Sequence, residues 1–208
     1  MAMLGKNILT RLWREPNSPI DAQSHFKEGV RLAEQGHYTE ALVELKQAIR
    51  ADPECADAQL EIGVIYQKMG RPDQAVKAYL SALEIRSDLV NAYKNLGVAY
   101  DTLGHFLKAL KMYTKAIILD RNDPELRNDL GMSYFNMGSY ADAIKAYHQA
   151  LDIDPNNARA RFCLGLVYLD LNDKEKALEE QSNLEELNEQ ELAFQLLDKI
   201  QREFRQAS

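Results

Sequence analysis

The side chains best suited to chemistry in this 208-residue chain are four histidines, two cysteines and many carboxylates. His25, His37, His105 and His148 are scattered, with no HExxH pair, glycine-rich phosphate loop, GxSxG elbow or calcium-loop spacing near them. Cys55 and Cys163 lie far apart and form no CxxC pair, so no metal site or disulfide framework is implied. A thiol becomes a nucleophile only beside groups that favour the thiolate, and the sequence identifies none for either cysteine. These residue types point away from an enzyme and away from a bound metal or cofactor. They leave recognition as the expected chemistry, carried by amides, cations and apolar side chains.

Composition agrees with that expectation. The chain is 46% apolar and 27% charged, as one soluble domain of ordinary size would be. A formal net charge of −7 argues against nucleic acid as a partner, since phosphate attraction requires a basic surface. No stretch approaches the roughly 18 consecutive apolar residues of a membrane span. Residues 1–10 lack the apolar core and cleavage site of a secretory signal, so a cytoplasmic protein with reduced thiols is expected.

The elements that position these residues repeat. Glycines fall at Gly29, Gly63, Gly97, Gly131 and Gly165, each step being 34 residues. Ala41, Ala75, Ala109, Ala143 and Ala177 keep the same step, as do Ala48, Ala82, Ala116 and Ala150. Tyr66, Tyr100, Tyr134 and Tyr168 form another series, with Leu32 in the first unit. Within a unit, Ile62, Gly63 and Tyr66, then Ala75, Tyr79 and Ala82, recur at steps of three and four, which puts them on one face of each of two helices. Gly36, Gly70, Gly104 and Gly138 stand between the two helices, where a left-handed backbone is needed. The small residues in register let the paired helices approach closely, and a bulky side chain there would cost roughly 1–3 kcal/mol. Pro53 and Pro155 stop the second helices of two units, while Asp123 and Pro124 read as the cap and first position of a new helix.

With a core such as Leu96-Gly97-Val98-Ala99-Tyr100 in five in-phase copies, the pattern resembles the tetratricopeptide repeat family over about residues 22–191. The resemblance implies an all-α, right-handed α-solenoid (superhelix) of tandem helix-turn-helix repeats with a C-terminal capping helix. The units are expected at about 22–55, 56–89, 90–123, 124–157 and 158–191, with the capping helix at 192–208. Ala193, Leu196, Leu197, Ile200 and Phe204 supply that helix with an apolar stripe. The tryptophan frequent in the family's first helix is absent, and His25, Gln59, Tyr93, Arg127 and Arg161 occupy its place.

Function follows from the same resemblance, which implies a protein-protein interaction scaffold or adaptor with a concave groove lined by the first helices. By register that groove receives Phe26, Val30, Leu60, Val64, Lys94, Asn95, Val98, Asn128, Met132, Phe135, Arg159, Phe162 and Leu166. Its apolar stripe would bury an apolar side of a partner at about 25 cal/mol per Å². The amides of Asn95 and Asn128 would pair with the backbone of an extended peptide. Acidic neighbours such as Glu61, Asp101 and Asp129 favour a protein or peptide partner with basic character. Lys94 and Arg159 resemble part of the family's clamp for a terminal carboxylate, but Val98, Asp129 and Cys163 replace its other members. Cys163 also maps to this face.

Residues 1–15 place Leu4, Ile8 and Leu12 four apart among Lys6, Arg11 and Arg14, and residues 16–21, with Pro16 and Pro19, form a linker. Such a basic amphipathic segment has four readings: a cap on the first unit, a disordered tail, a docking element for self-association or for the groove, and a peripheral membrane contact. A self-assembling structural or membrane-surface-associated protein docking through this segment, or a secretion or assembly chaperone, are the alternative functions. Glutamates from Glu175 to Glu191 form an acidic run, read as a solvated helix face.

Overall fold

The computed structural model describes residues 19–206, which hold eleven α-helices and no strand. The chain divides into two compact units, residues 1–95 and 96–208. The first contains α1 (Pro19–Glu34), α2 (Tyr38–Ala51), α3 (Ala56–Lys68), α4 (Pro72–Ile85) and the start of α5 (Val90–Thr102). The second contains the rest of α5, then α6 (Phe106–Leu119), α7 (Pro124–Asn136), α8 (Tyr140–Ile153), α9 (Ala158–Asp170), α10 (Lys174–Glu186) and α11 (Gln190–Gln206). Within the units α1 packs on α2, α3 on α4, α7 on α8 and α9 on α10, while α11 covers α9 and α10. This is the all-α helix-pair class that the repeat implied. The amino-terminal segment 1–15 and the side chain of Phe204 lie outside the described residues. The described residues are already helical from Pro19, inside the stretch read as linker.

Two kinds of glycine build the first four pairs. Gly36, Gly70, Gly104 and Gly138 hold φ of 80°, 69°, 72° and 74°, and a Cβ added there would meet nothing within 4 Å. Backbone conformation alone demands glycine at these turns. In the last pair Asn172 takes that place with φ 58°, using asparagine's tolerance of the left-handed region. The other series serves packing. A Cβ on Gly63, Gly97 or Gly131 would lie 2.3, 2.5 or 2.7 Å from the ring of Tyr79, Tyr113 or Tyr147. Each tyrosine therefore lies flat on a helix whose side chain has been removed to admit it.

The final pair breaks the pattern informatively. Gln181 stands where Tyr147 stands one repeat earlier, and its amide donates to Glu185 at 2.6 Å. The space at Gly165 is filled instead by Leu196 of α11, 2.4 Å from where a Cβ would be. Leu196 and Ile200 are almost fully buried, and with Leu164, Val167, Ala177 and Leu184 they form the core of the second unit. Ala41, Leu45, Ala48, Ala58, Ile62 and Ile65 form the core of the first.

At the joints, Asp123 accepts from the amide of Glu125 at 2.8 Å as the cap of α7, with Pro124 behind it as expected. Asn157 caps α9 through the amide of Ala160 at 2.9 Å. Asp52 and Asp154 hold the turns around Pro53 and Pro155 by accepting from the amides of Glu54 and Asn156, each at 3.1 Å. At the place of the missing tryptophan, polar contacts join the two helices of the outermost repeats: a hydrogen bond between His25 and Glu44 at 2.6 Å and an ion pair of Arg161 with Glu180 at 3.3 Å. Among the described residues no helix is long and apolar enough to cross a membrane.

Candidate interaction face of the second unit

Helices α5, α7 and α9 are the first members of their pairs, and helical spacing decides which of their side chains share a face. Val98, Asp101 and Thr102 stand at steps of three and one on α5; Asp129, Met132 and Asn136 stand at steps of three and four on α7. Together with Arg159 of α9 and Tyr113 of α6 they line a cavity of about 300 Å³. Val98 and Met132 supply its apolar wall, and Asp101 and Asp129 its acidic floor.

Hydrogen bonds fix that floor. Asp101 accepts from the Tyr113 hydroxyl at 2.9 Å and from Ser133 Oγ at 2.8 Å, so one carboxylate ties α5 to both α6 and α7. Asp129 is buried and accepts from Arg159 Nη2 at 2.7 Å, while Arg159 Nη1 donates to Glu125 Oε2 at 2.6 Å. Glu125 Oε1 in turn accepts from Asn128 and Asn157, each at 3.2 Å, and Asn128 also donates to Asn157 Oδ1 at 3.0 Å. The network thereby bonds the cap of α9 into α7. The charge-assisted members of the network, Arg159 with Asp129 and Glu125, are about twice as strong as neutral hydrogen bonds.

Burial sets the protonation behaviour. It raises the Asp101 carboxyl above the ordinary carboxylate range, against the opposing hydrogen bonds from Ser133 and Tyr113. Burial likewise pushes the Tyr113 hydroxyl upward, and the charges of Asp101 and Asp129 add to it. Burial alone would lower Arg159, but Asp129 and Glu125 outweigh it and hold the guanidinium above its usual value. Burial also raises the Cys163 thiol, which stays protonated at neutral pH.

The expected groove residues differ in what they offer a partner. Asn128 is only 1% exposed and spends its amide hydrogens on Glu125 and Asn157, so it does not present them to a peptide. The reason is its place opposite the cap of the next helix. Arg159 is engaged by two carboxylates and offers no unopposed cation to a terminal carboxylate. Cys163 is buried against Tyr147 rather than lining the face. Phe135, Phe162 and Leu166 are half-buried against the core of the second unit, as is Met132, and Phe135 also meets the Tyr140 ring at 5.9 Å. In the first unit Phe26 packs half-buried on that unit's core, and Val30, Leu60, Val64, Lys94 and Asn95 are half-buried on α1, α3 and α5. The residues missed by sequence reasoning are Tyr113, Ser133, Glu125 and Asn157. Tyr113 had a signal: it shares the register of Tyr79 and Tyr147, while an aspartate occurs at position 101 where Gln67 and Phe135 stand in neighbouring units.

Comparison with known proteins agrees with this architecture. A family model described as TPR repeat matches residues 29–70 and 131–172, and one described as Tetratricopeptide repeat matches residues 54–122. A crystal structure of MamA is 25% identical, with a TM-score of 0.72 over 78% of this chain and 95% of that one. MamA 41-end from Desulfovibrio magneticus RS-1 is 21% identical, with a TM-score of 0.75 over 82% of this chain and 96% of that one. YrrB, described as a TPR protein with an unusual peptide-binding site, is 24% identical, with a TM-score of 0.69 over 86% of this chain and 92% of that one. No protein of curated function matches the sequence.

Proposed function

The chain belongs to the tetratricopeptide repeat family, and from that premise we propose that it is a non-catalytic adaptor that holds a segment of a partner protein on the first-helix faces. The observation that carries the reading is the cavity that Val98 and Met132 line together with Asp101 and Asp129. An apolar partner side chain would be desolvated between Val98 and Met132. A lysine or arginine close to it in the partner would meet the acidic floor, which guides approach more than it sets affinity. Preorganisation of the floor by Tyr113, Ser133 and Arg159 reduces the ordering cost of binding. In the first unit Phe26, Val30, Leu60, Val64, Lys94 and Asn95 hold the same register and are assigned the same role. That YrrB is described as peptide-binding supports a peptide as the partner's form. Two separated cysteines, both unpaired with one another, support a reducing, cytoplasmic setting.

The test compares proteins captured from the source cells by the intact chain and by a Val98→Glu, Met132→Glu variant whose helicity is checked by circular dichroism. Loss of specific partners from the variant is expected. Recovery of the same proteins by both baits would remove this face as the binding surface.

A further inference from the structure

The outward sides of the second helices differ in charge along the second unit. Helix α6, FLKALKMYTKAIIL, carries Lys108, Lys111 and Lys115 and no acidic residue. It also leaves Leu107, Ile118 and Leu119 68%, 63% and 45% exposed, large values for aliphatic side chains on one helix. Helix α10, KEKALEEQSNLEE, carries five glutamates against two lysines. Glu180 is buried with Arg161 and Glu185 accepts from Gln181, while Glu175, Glu179 and Glu186 are exposed. On the same helix Leu178 is 37% exposed, and Leu171, the C-cap of α9, is 46% exposed. Helix α8, at the same place in the pair between them, mixes signs on its exposed residues: Asp142, Lys145 and Asp152.

We propose that these two faces bind one another between copies of the chain, α6 of one protomer against α10 of the next. Within one chain α6 and α10 do not touch, so the complementary charges can meet only in trans. Leu107 and Ile118, toward the two ends of α6, would each pack against an exposed leucine, Leu171 or Leu178, while Lys111 and Lys115 between them meet the exposed glutamates. Opposite charge selects this pairing over α6–α6 or α10–α10, which juxtapose like charges. Because the two faces are different surfaces, the contact is heterologous and extends head to tail into a ring or an open chain. The assignment uses the outer helices and is independent of the first-helix face proposed above.

Sedimentation velocity of the full-length protein tests it, over a concentration series at low and high salt. The wild type is expected to gain mass with concentration at low salt and lose it at high salt, where rim charges are screened. Two charge-reversed variants, Lys111→Glu with Lys115→Glu, and Glu175→Lys with Glu179→Lys and Glu186→Lys, should each remain monomeric. Mixed one to one they should associate, since acidic α10 of the first meets basic α6 of the second, and acidic α6 of the first meets basic α10 of the second. A Leu107→Ser, Ile118→Ser variant, altered only at exposed positions, should also be monomeric and serves if a charge variant loses helicity by circular dichroism. A wild type that stays monomeric throughout, variants that associate as the wild type does, or folded reversed variants that fail to associate on mixing would each overturn the proposal. Binding of α6 to anionic vesicles by a monomeric wild type would assign its lysines to a lipid surface instead.

Discussion

Tyr113 and Tyr147 occupy equivalent places in consecutive helix pairs, and each rests its ring on a helix glycine, Gly97 and Gly131. Their hydroxyls differ. That of Tyr113 donates to Asp101, a member of the acidic floor, whereas that of Tyr147 has no conventional partner and lies against the Cys163 thiol. The difference arises one turn away, where α5 carries Asp101 and α7 carries Phe135 in the same register. The ring is thus an element of the repeat, and the hydroxyl becomes part of a site only where the neighbouring helix supplies an acceptor. A third case extends the comparison: the last pair has no ring, and Leu196 of α11 fills its glycine.

The largest expected effect lies at that third case. Leu196→Ala would open a cavity beside Gly165 and cost about 2–5 kcal/mol, measured as a shift of the urea midpoint with an unchanged slope. A smaller loss would mean that the glycine space collapses without its filler. Next come the two glycine slots. Gly97→Val or Gly131→Val forces atoms into the Tyr113 or Tyr147 ring and is expected to cost roughly 1–3 kcal/mol each. Similar losses at the two sites would confirm that both rings do the same packing work.

The hydroxyls separate the pairs more finely. Tyr113→Phe removes a hydrogen bond to a half-buried carboxylate and should cost about 1–2 kcal/mol, while Tyr147→Phe should fall within about 0.5 kcal/mol of wild type. Equal costs in thermal or urea unfolding would break the distinction. The smallest effect is a pH dependence. Because burial raises Asp101 in the folded state, the folded chain binds that proton more tightly than the unfolded chain. Stability from this group is therefore fully present below the unfolded carboxylate pKa and is lost as pH rises through the folded one. The stability of wild type relative to Asp101→Asn should decline over that interval and level off above it. A rising difference would reverse the assigned direction.

The helix pairs, their glycine turns and the capping role of α11 were legible because they rest on local rules repeated in phase. A left-handed turn needs glycine wherever it occurs, and a helix face shows itself at steps of three and four. The Asp123–Pro124 start of α7 was legible for the same reason, since a cap is chemistry within a few residues. The apolar members Val98 and Met132 could be placed by register alone. Asn128 could not, because its role depends on Asn157 and Glu125, which come from a different repeat and a different turn of its own helix.

The amino-acid sequence by itself determined that the chain folds as paired helices, which residues are small where helices meet, and which faces carry each sign of charge. Those properties follow from periodicity and composition, which are written along the chain. Tertiary structure alone decided that Asp101 gathers Tyr113 and Ser133, that Arg159 is held by Asp129 and Glu125, and that Leu196 stands in for a missing tyrosine. Such outcomes depend on which polar atoms come within hydrogen-bond reach once helices separated in sequence pack together, and no pattern within a single repeat encodes that distance.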